Sequence, residues 1–365
     1  MNLITYKYKL KLTSEQSIQI NSWIGTCRFV YNLSLETKIH AYRSFGISLS
    51  KFDLMKQLVD LKEIEWIKDV PSQTLQNVIE RMDCAYQSFF KGGGFPKWAK
   101  KDAYNSILFK SVKKTEKGFD LPKIGAVKIF KDRQPKGKLK TATIIKEQSQ
   151  YYICVTFEIE SKNIFPTYEN QVVGVDMGIT YFLTDSNGCF VENPRHLKKY
   201  ERQLRIENRS LARKKKGSQS RQRQKSRLSK LHAKIANVRK DFLHKVSIRY
   251  VKENSLIVAE NLIVKNMVRL GSLSKHISDA SWSTFFQMVK YKCDLYEKEF
   301  IQIDPKYTSQ KCSCCGHIAK QNRVNQSKFV CVKCSFAQNA DFNAAKNIKS
   351  EGIAFKLKRG TLVRA

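Results

Sequence analysis

Two pairs of cysteines and three carboxylates carry the chemistry this sequence can be expected to do. Cys312 and Cys315 form one Cys-x-x-Cys pair and Cys331 and Cys334 a second, with fifteen residues between the pairs. That spacing lets both sulfurs of a pair reach one ion, and Gly316 supplies permissive backbone behind the first pair. Four thiolates close a tetrahedral shell, so a single Zn²⁺ held here would fold the module and leave no open position for catalysis. Cys314 stands too close to Cys312 for such a pair and reads as a bystander. Cys27, Cys84, Cys154, Cys189 and Cys293 are isolated and read as core fillers. Asp341 follows the second pair by seven residues. Two more acids sit on apolar runs upstream, Asp176 in Val-Val-Gly-Val-Asp-Met-Gly and Glu260 in Leu-Ile-Val-Ala-Glu-Asn-Leu.

One acid at the end of an apolar strand is as readily a cap or an ion-pair partner as a ligand. Three acids in this order differ: an Asp on a first central strand, a Glu ending a later strand and an Asp opening a final helix. An RNase H-like sheet gathers acids in that way, and they can hold two Mg²⁺ ions about 4 Å apart for in-line phosphodiester cleavage. Magnesium takes hard oxygen ligands and keeps several waters, which suits three carboxylates and a substrate phosphate. Gly174 and Gly178 would let the phosphodiester approach the strand closely.

The elements that must position these residues follow from periodicity. Residues 3–12 alternate apolar and polar as a strand, and Thr13 or Ser14 caps a helix start. The pattern is then helical to about residue 91, with Trp23, Cys27, Val30, Tyr31 and Leu35 at three- and four-residue intervals. A helix over Ser72–Lys91 places Leu75, Val78, Ile79, Met82, Tyr86 and Phe89 on one face. Gly92-Gly93-Gly94-Phe95-Pro96 ends this part, and residues 104–160 turn β-rich in short alternating runs. A sheet split in sequence by a helical insertion fits, with strand 3–12 joining the later strands. A new domain begins at Asn170 with the strand Gln171–Asp176 and a hairpin around Asn187-Gly188. Residues 194–250 read as two antiparallel basic helices whose tip holds Lys214, Lys215 and Lys216. That charge could be a solvated face, but basic residues on nearly every face favour nucleic-acid contact. Leu256–Ala259 and Phe300–Ile303 read as short strands on either side of an amphipathic helix, 282–297.

Composition agrees with a polyanionic partner. The 365 residues carry 67 Lys+Arg against 32 Asp+Glu, a formal net charge of +35. Such an excess repels itself in the compact state unless a polyanion neutralises it. The length permits two or three domains, and 42% hydrophobic residues suffices for ordinary cores. The opening residues alternate instead of forming a signal peptide, and no apolar run is long enough to span a bilayer. A cytoplasmic location is expected, nucleoid-associated when on target, where clustered thiols favour metal over disulfides.

Together with Asp304-Pro-Lys-Tyr-Thr-Ser-Gln-Lys-Cys312 before the zinc site, Asp176, Glu260 and Asp341 resemble the RuvC-type nuclease of transposon-encoded TnpB proteins. These are relatives of the type V CRISPR effectors. Tyr8-Lys-Leu-Lys-Leu12, Glu15-Gln16 and Gly25-Thr-Cys-Arg28-Phe-Val-Tyr31-Asn32 are similar to the family's opening, and Gly94-Phe95-Pro96-Lys97 to its link into the β-rich part. The resemblance spans essentially the whole chain. Trp98-Ala99 and Asn339-Ala340 depart from the commoner family residues without removing a metal ligand.

The resemblance implies an α/β plus β architecture. A β-barrel wedge domain (1–15 with 100–165) would carry a helical recognition insertion (16–99). An RNase H-like RuvC nuclease domain (170–307 with 338–365) would carry the basic helical hairpin, and a zinc ribbon (308–337) would be inserted in it. It also implies an RNA-guided DNA endonuclease, one protein per RNA. A guide (omega) RNA from the transposon end would supply specificity by pairing with double-stranded target DNA, and the protein would read a short adjacent motif. Asp176, Glu260 and Asp341 would then be the catalytic Mg²⁺ ligands, and Cys312, Cys315, Cys331 and Cys334 the Zn²⁺ ligands. Gln73, Gln76 and Asn77 are candidate motif readers, because amides pair with adenine edges, though they could equally face solvent. The rivals are a nuclease-inactive or weakly active RNA-guided repressor, a strand-joining transposase or transposition accessory protein, and a junction resolvase. A repressor should have lost an acid. Strand transfer has no support in the sequence, and a resolvase leaves the zinc module and the first 165 residues unexplained.

Overall fold

The computed structural model describes residues 2–101, 103–130, 135–147, 150–159, 171–263, 267 and 274–362. The chain divides into two units at residues 160 and 161. The boundary expected between 165 and 170 lies outside the described residues.

The first unit starts with strand β1 (Asn2–Lys11), after which Thr13 caps helix α1 (Ser14–Phe45). The cap is reciprocal: the Gln16 amide N–H donates to Thr13 Oγ1, and Gln16 Oε1 accepts from the Thr13 N–H. Helices α2 (Lys51–Leu61), α3 (Glu65–Lys68) and α4 (Ser72–Phe90) follow. Trp23, Cys27, Val30 and Leu35 of α1 are buried, as are Leu75, Val78, Ile79, Met82 and Tyr86 of α4. Phe89, in the last turn of α4, is exposed instead, with its ring against Phe95. Strands β2 (Ser106–Phe109), β3 (Lys113–Lys114), β4 (Gly118–Leu121), β5 (Gly125–Ile129), β6 (Lys138–Glu147) and β7 (Gln150–Ile159) complete a seven-stranded sheet. Its order is β2-β6-β7-β1-β5-β4-β3. β1 pairs with β7 from Asn2 to Lys9 and with β5 at Leu10 and Lys11, so the first strand joins the later ones as expected.

The expected β-barrel is not formed: among the described residues the terminal strands β2 and β3 do not pair, and the sheet stays open. The outer edge of β2 shows why. Its carbonyls at Ser106 and Leu108 face away from β6 and accept from Arg81 Nη1 (3.1 Å) and Thr74 Oγ1 (2.9 Å) of α4. A helix satisfies the backbone groups that barrel closure would have used.

The second unit is built on a five-stranded sheet. Its strands are β8 (Val172–Met177), β9 (Tyr181–Asp185), β10 (Phe190–Glu192), β11 (Leu256–Glu260) and β12 (Glu299–Ile303), in the order β10-β9-β8-β11-β12. β8, β11 and β12 run parallel, whereas β8-β9-β10 is an antiparallel meander. Between β10 and β11 lie helices α5 (His196–Arg213) and α6 (Gln219–Glu253), the anticipated basic pair. Leu204, Leu231 and Ile235 make a small core between them, and Arg221 closes their junction by donating to the carbonyls of Leu211 and Lys214. Helices α7 (Ser274–Ala280) and α8 (Trp282–Leu295) precede β12. After β12 come a module containing the short pair β13 (Lys328–Val330) and β14 (Ala337–Asn339), and the final helix α9 (Ala340–Leu362).

Strand alternation assigns the two faces of this sheet. Val173, Val175, Ile257 and Ala259 point into the core formed with α6 and α8. Leu256 and Val258 point the other way, into a core with Ile348 of α9. Gly174 lies on that α9 side. A Cβ there would stand 2.2 Å from the Ala345 carbonyl and 2.5 Å from the Lys349 nitrogen. The glycine therefore admits the helix, and its expected role in phosphate approach is superseded. Gly178 likewise sits against its own turn, where a Cβ would meet the Tyr181 carbonyl at 2.8 Å.

Gly174→Ala should accordingly destabilise the second unit by about 3 kcal/mol, since both obstructing atoms are backbone. Gly25→Ala, in mid-α1 with open space around it, should stabilise by up to about 1 kcal/mol. Denaturant unfolding of both variants checks the contrast, and equal stabilities would refute it.

Candidate active site and metal centres

Three placements bring the acids together. Val175 pairs with Ala259 in the parallel register of β8 and β11, so the next residues, Asp176 and Glu260, are neighbours across adjacent strands. Each lies two positions beyond a residue on the α9 side, Gly174 and Val258, and so points to that side. The third acid comes from α9 itself. Asn339 caps this helix, its Oδ1 accepting from the N–H groups of Asp341 (3.0 Å) and Phe342 (3.1 Å), which fixes Asp341 in the first turn.

The three carboxylates are electrostatically coupled. Burial pushes Asp176 well above the ordinary carboxylate range, and the charges of Glu260 and Asp341 push it further, against the pull of Arg323. Burial also raises Glu260 and Asp341. The Thr308 hydroxyl and Arg323 oppose the rise at Glu260, and Arg323 opposes it at Asp341. Arg323 acts on all three, and its Nη2 lies 3.4 Å from Asp341 Oδ1. Among the described residues one guanidinium thus faces three acids, which leaves net negative charge in a water-poor site. Hard oxygen donors with uncompensated charge fit divalent cations better than they fit each other. The carboxylates do not, however, close to the mutual 4.8 Å that the four sulfurs below reach.

Those sulfurs belong to Cys312, Cys315, Cys331 and Cys334, and Cys314 stands outside the group. Cys312 and Cys334 Sγ are 3.7 Å apart, Cys315 and Cys331 Sγ 3.6 Å. The two pairs are built alike. The Gly316 N–H donates to the Cys312 carbonyl and the Ser335 N–H to the Cys331 carbonyl, both at 2.9 Å. Each turning residue has positive φ, +76° at Gly316 and +58° at Ser335. Burial pushes the Cys331 thiol up, but the amides of Cys334 and Lys333 and the neighbouring thiols outweigh it and bring it to about 7. Of the other cysteines, Cys27 and Cys293 are core fillers as expected, but Cys84 and Cys189 are exposed, on the polar faces of α4 and of the β9–β10 turn.

Sequence reasoning missed Arg323, Thr308, Asn343 and Asn347, all of which touch the acids or the segment beside them. Isolated residues of these types carry no periodic signal, although Thr308 stood inside the quoted Asp304–Cys312 stretch. The candidate nucleic-acid residues are spread over both units. Lys215 and Lys216 are exposed in the α5–α6 tip, and Lys214 Nζ donates to Ser220 Oγ. Gln73 accepts from Ser111 Oγ and Asn77 donates to Glu80, so both amides are partly engaged within the protein, while Gln76 is exposed.

Comparison with known proteins places these features. Residues 153–271 match a family described as "Probable transposase", residues 282–348 a "Cas12f1-like, TNB domain", and residues 1–46 a "Helix-turn-helix domain". Here residues 2–45 form a strand and one long helix. The chain is 33% identical to InsQ of Escherichia coli (strain K12), by its name a candidate RNA-guided DNA endonuclease, over 96% of this chain and 93% of InsQ. It is 29% identical to a like-named protein of Streptomyces pristinaespiralis, over 96% and 89%. Among solved structures, Cas12f1 in a complex with sgRNA and target DNA shares the fold with a TM-score of 0.61 at 14% identity, covering 92% of this chain and 83% of that one. Among the described residues, no helix is long and apolar enough to cross a membrane.

Two outcomes test the site as built. Cys331→Ser should lower the melting temperature and the bound zinc together, measured by calorimetry and metal analysis, and a zinc-free variant as stable as the parent would refute the structural role. In magnesium-free buffer Asp176→Asn should stabilise the protein by about 1–3 kcal/mol, because it removes a buried charge facing two like charges. Unchanged or lower stability would mean the acids do not repel.

Proposed function

The chain belongs to the TnpB family of transposon-encoded proteins, relatives of the type V effectors, and from that premise we propose that it is an RNA-guided DNA endonuclease. The observation that carries the reading is the convergence of Asp176, Glu260 and Asp341 at one end of the sheet, on the side covered by α9. The strand order, a three-stranded meander extended by two parallel strands, is the arrangement of an RNase H-like sheet. In this reading the second unit is the RuvC-like nuclease with its basic hairpin and inserted zinc ribbon (308–337). The first is the wedge domain (1–15 with 100–165) carrying the recognition helices (16–99).

A guide (omega) RNA from the transposon end selects double-stranded target DNA by base pairing beside a short motif. The +35 charge holds the nucleic-acid backbones. Gln73, Gln76 and Asn77 are proposed to face the adjacent motif, and Lys214, Lys215 and Lys216 to lie along a nucleic-acid backbone. The four cysteines are proposed to hold one structural Zn²⁺, and the three acids two Mg²⁺. Bound there, the Mg²⁺ pair would supply an activated water and stabilise the leaving 3′ oxygen. The chain's own part is positional. β8 and β11 set the spacing of Asp176 and Glu260, the N-terminus of α9 presents Asp341, and Arg323 offsets part of the charge before a phosphate arrives. All three acids are present, which favours cleavage over guided binding alone.

Asp176→Ala, Glu260→Ala and Asp341→Ala should each reduce cleavage by more than about 10³-fold while leaving RNA and target binding within about twofold. The assay uses the protein with its copurifying RNA, sequenced to define the guide and a matching target. A variant that cuts at the parental rate would remove that acid from the mechanism, and copurification of no discrete RNA would remove the guided function.

A further inference from the structure

The Glu260 carboxylate is held by a residue outside the sheet. Thr308 lies in the segment between β12 and the first cysteine pair, and its side chain is buried, 4% exposed. Its Oγ1 lies within hydrogen-bonding distance of Glu260 Oε1 and of the Pro305 carbonyl, the latter at 3.1 Å. A hydroxyl donates one proton, and the carboxylate is the stronger acceptor. The Thr308 carbonyl in turn accepts from Asn347 Nδ2 (2.8 Å), which also reaches the Lys311 carbonyl (2.6 Å). One turn earlier on α9, Asn343 Nδ2 donates to the same Lys311 carbonyl (2.8 Å), and Asn343 Oδ1 accepts from the Ser313 N–H (3.0 Å). Both asparagines are buried. The same helix carries Asp341, two residues before Asn343.

We propose that Thr308 is a positioning residue that fixes the rotamer of Glu260 and, through Asn347, locks it in register with the Asp341-bearing helix. The path is continuous. Glu260 is bonded by the Thr308 hydroxyl, the Thr308 backbone is gripped by Asn347, and Asn343 grips the backbone that leads into the cysteine module. A glutamate at a strand end has three side-chain torsions, and among the described residues Thr308 is the side chain that donates to its carboxylate. Without the hydroxyl, Oε1 would turn among several rotamers and present the ligand set in its divalent-binding geometry only part of the time. Hydrogen-bond partners behind a ligand commonly change metal affinity by about 10–100-fold. The module that the zinc folds would thereby support one of the catalytic ligands.

This inference rests on the reading of the three acids as a divalent-cation site, and the test separates the two. Mn²⁺ is titrated into the full-length, zinc-loaded protein, and the unbound ion is followed by electron paramagnetic resonance. The parent should show a site that Asp176→Asn removes; if no such site exists, the acid-cluster reading itself has failed. Given that site, Thr308→Val should weaken it on the order of tenfold, and Thr308→Ser, which keeps the hydroxyl, should restore it to within about twofold. In a Glu260→Gln background Thr308→Val should have no further effect. A general folding defect would instead add to the Glu260→Gln loss, and additivity would overturn the proposal. So would unchanged Mn²⁺ affinity in Thr308→Val, or a Thr308→Ser variant as weak as the valine.

Discussion

Everything in the second unit is arranged around a repulsion. Three carboxylates are held in a site dry enough to push all of them toward protonation, and each is placed there by a different piece of backbone. Left alone, such a group should spread apart or take up protons. The fold prevents the first through constraints that have nothing to do with charge: a parallel register between β8 and β11, and a helix pressed onto β8 where only a glycine fits. A bound divalent cation would relieve the resulting instability. Stability given up at a site and recovered on binding is how ligand affinity is stored in a fold.

The cysteine module is part of that arrangement. It touches the acids twice, through Thr308 on its N-terminal approach and through Arg323 in its interior. Asn322, which is fully buried, ties the module's own loops by donating to the Gln310 and His317 carbonyls and accepting from the Val332 N–H. A module this small has little apolar core beyond Phe329 and its neighbours, and a metal held by its four cysteines would substitute for hydrophobic burial. Rigidity that a bound metal would confer on the module would pass to the carboxylates through these two contacts.

How much of this was legible in the sequence follows the range of each interaction. The capped α1, the buried stripe of α4, the hairpin at Gly188 and all three acids came from local spacing, because those signals reside within a few residues of one another. The barrel did not. Its closure depended on whether the edge carbonyls of β2 would meet a strand or the side chains of Thr74 and Arg81, which lie more than twenty residues earlier in the chain. Gly174 was noticed but assigned to the wrong neighbour, since a strand pattern shows that space is needed without showing what fills it. Thr308, Arg323 and the two asparagines were invisible for the same reason as the barrel: their partners are remote in sequence.

The charge excess bears on the same point from outside the site. A net +35 must be kept apart within each unit, and the α5–α6 pair shows one solution. It spends only a small apolar seam on cohesion, and Lys215 and Lys216 stand at its far tip, away from the sheet. At its base Arg239 is paired with Asp279 at 2.7 Å, and Asp279 Oδ2 also accepts from the Leu197 N–H that opens α5. Charge is thus neutralised internally where the hairpin meets its unit and left uncompensated where it reaches into solvent. A merely soluble basic protein has no need of that gradient. A protein that must grip a polyanion without letting the polyanion's charge displace its own packing does.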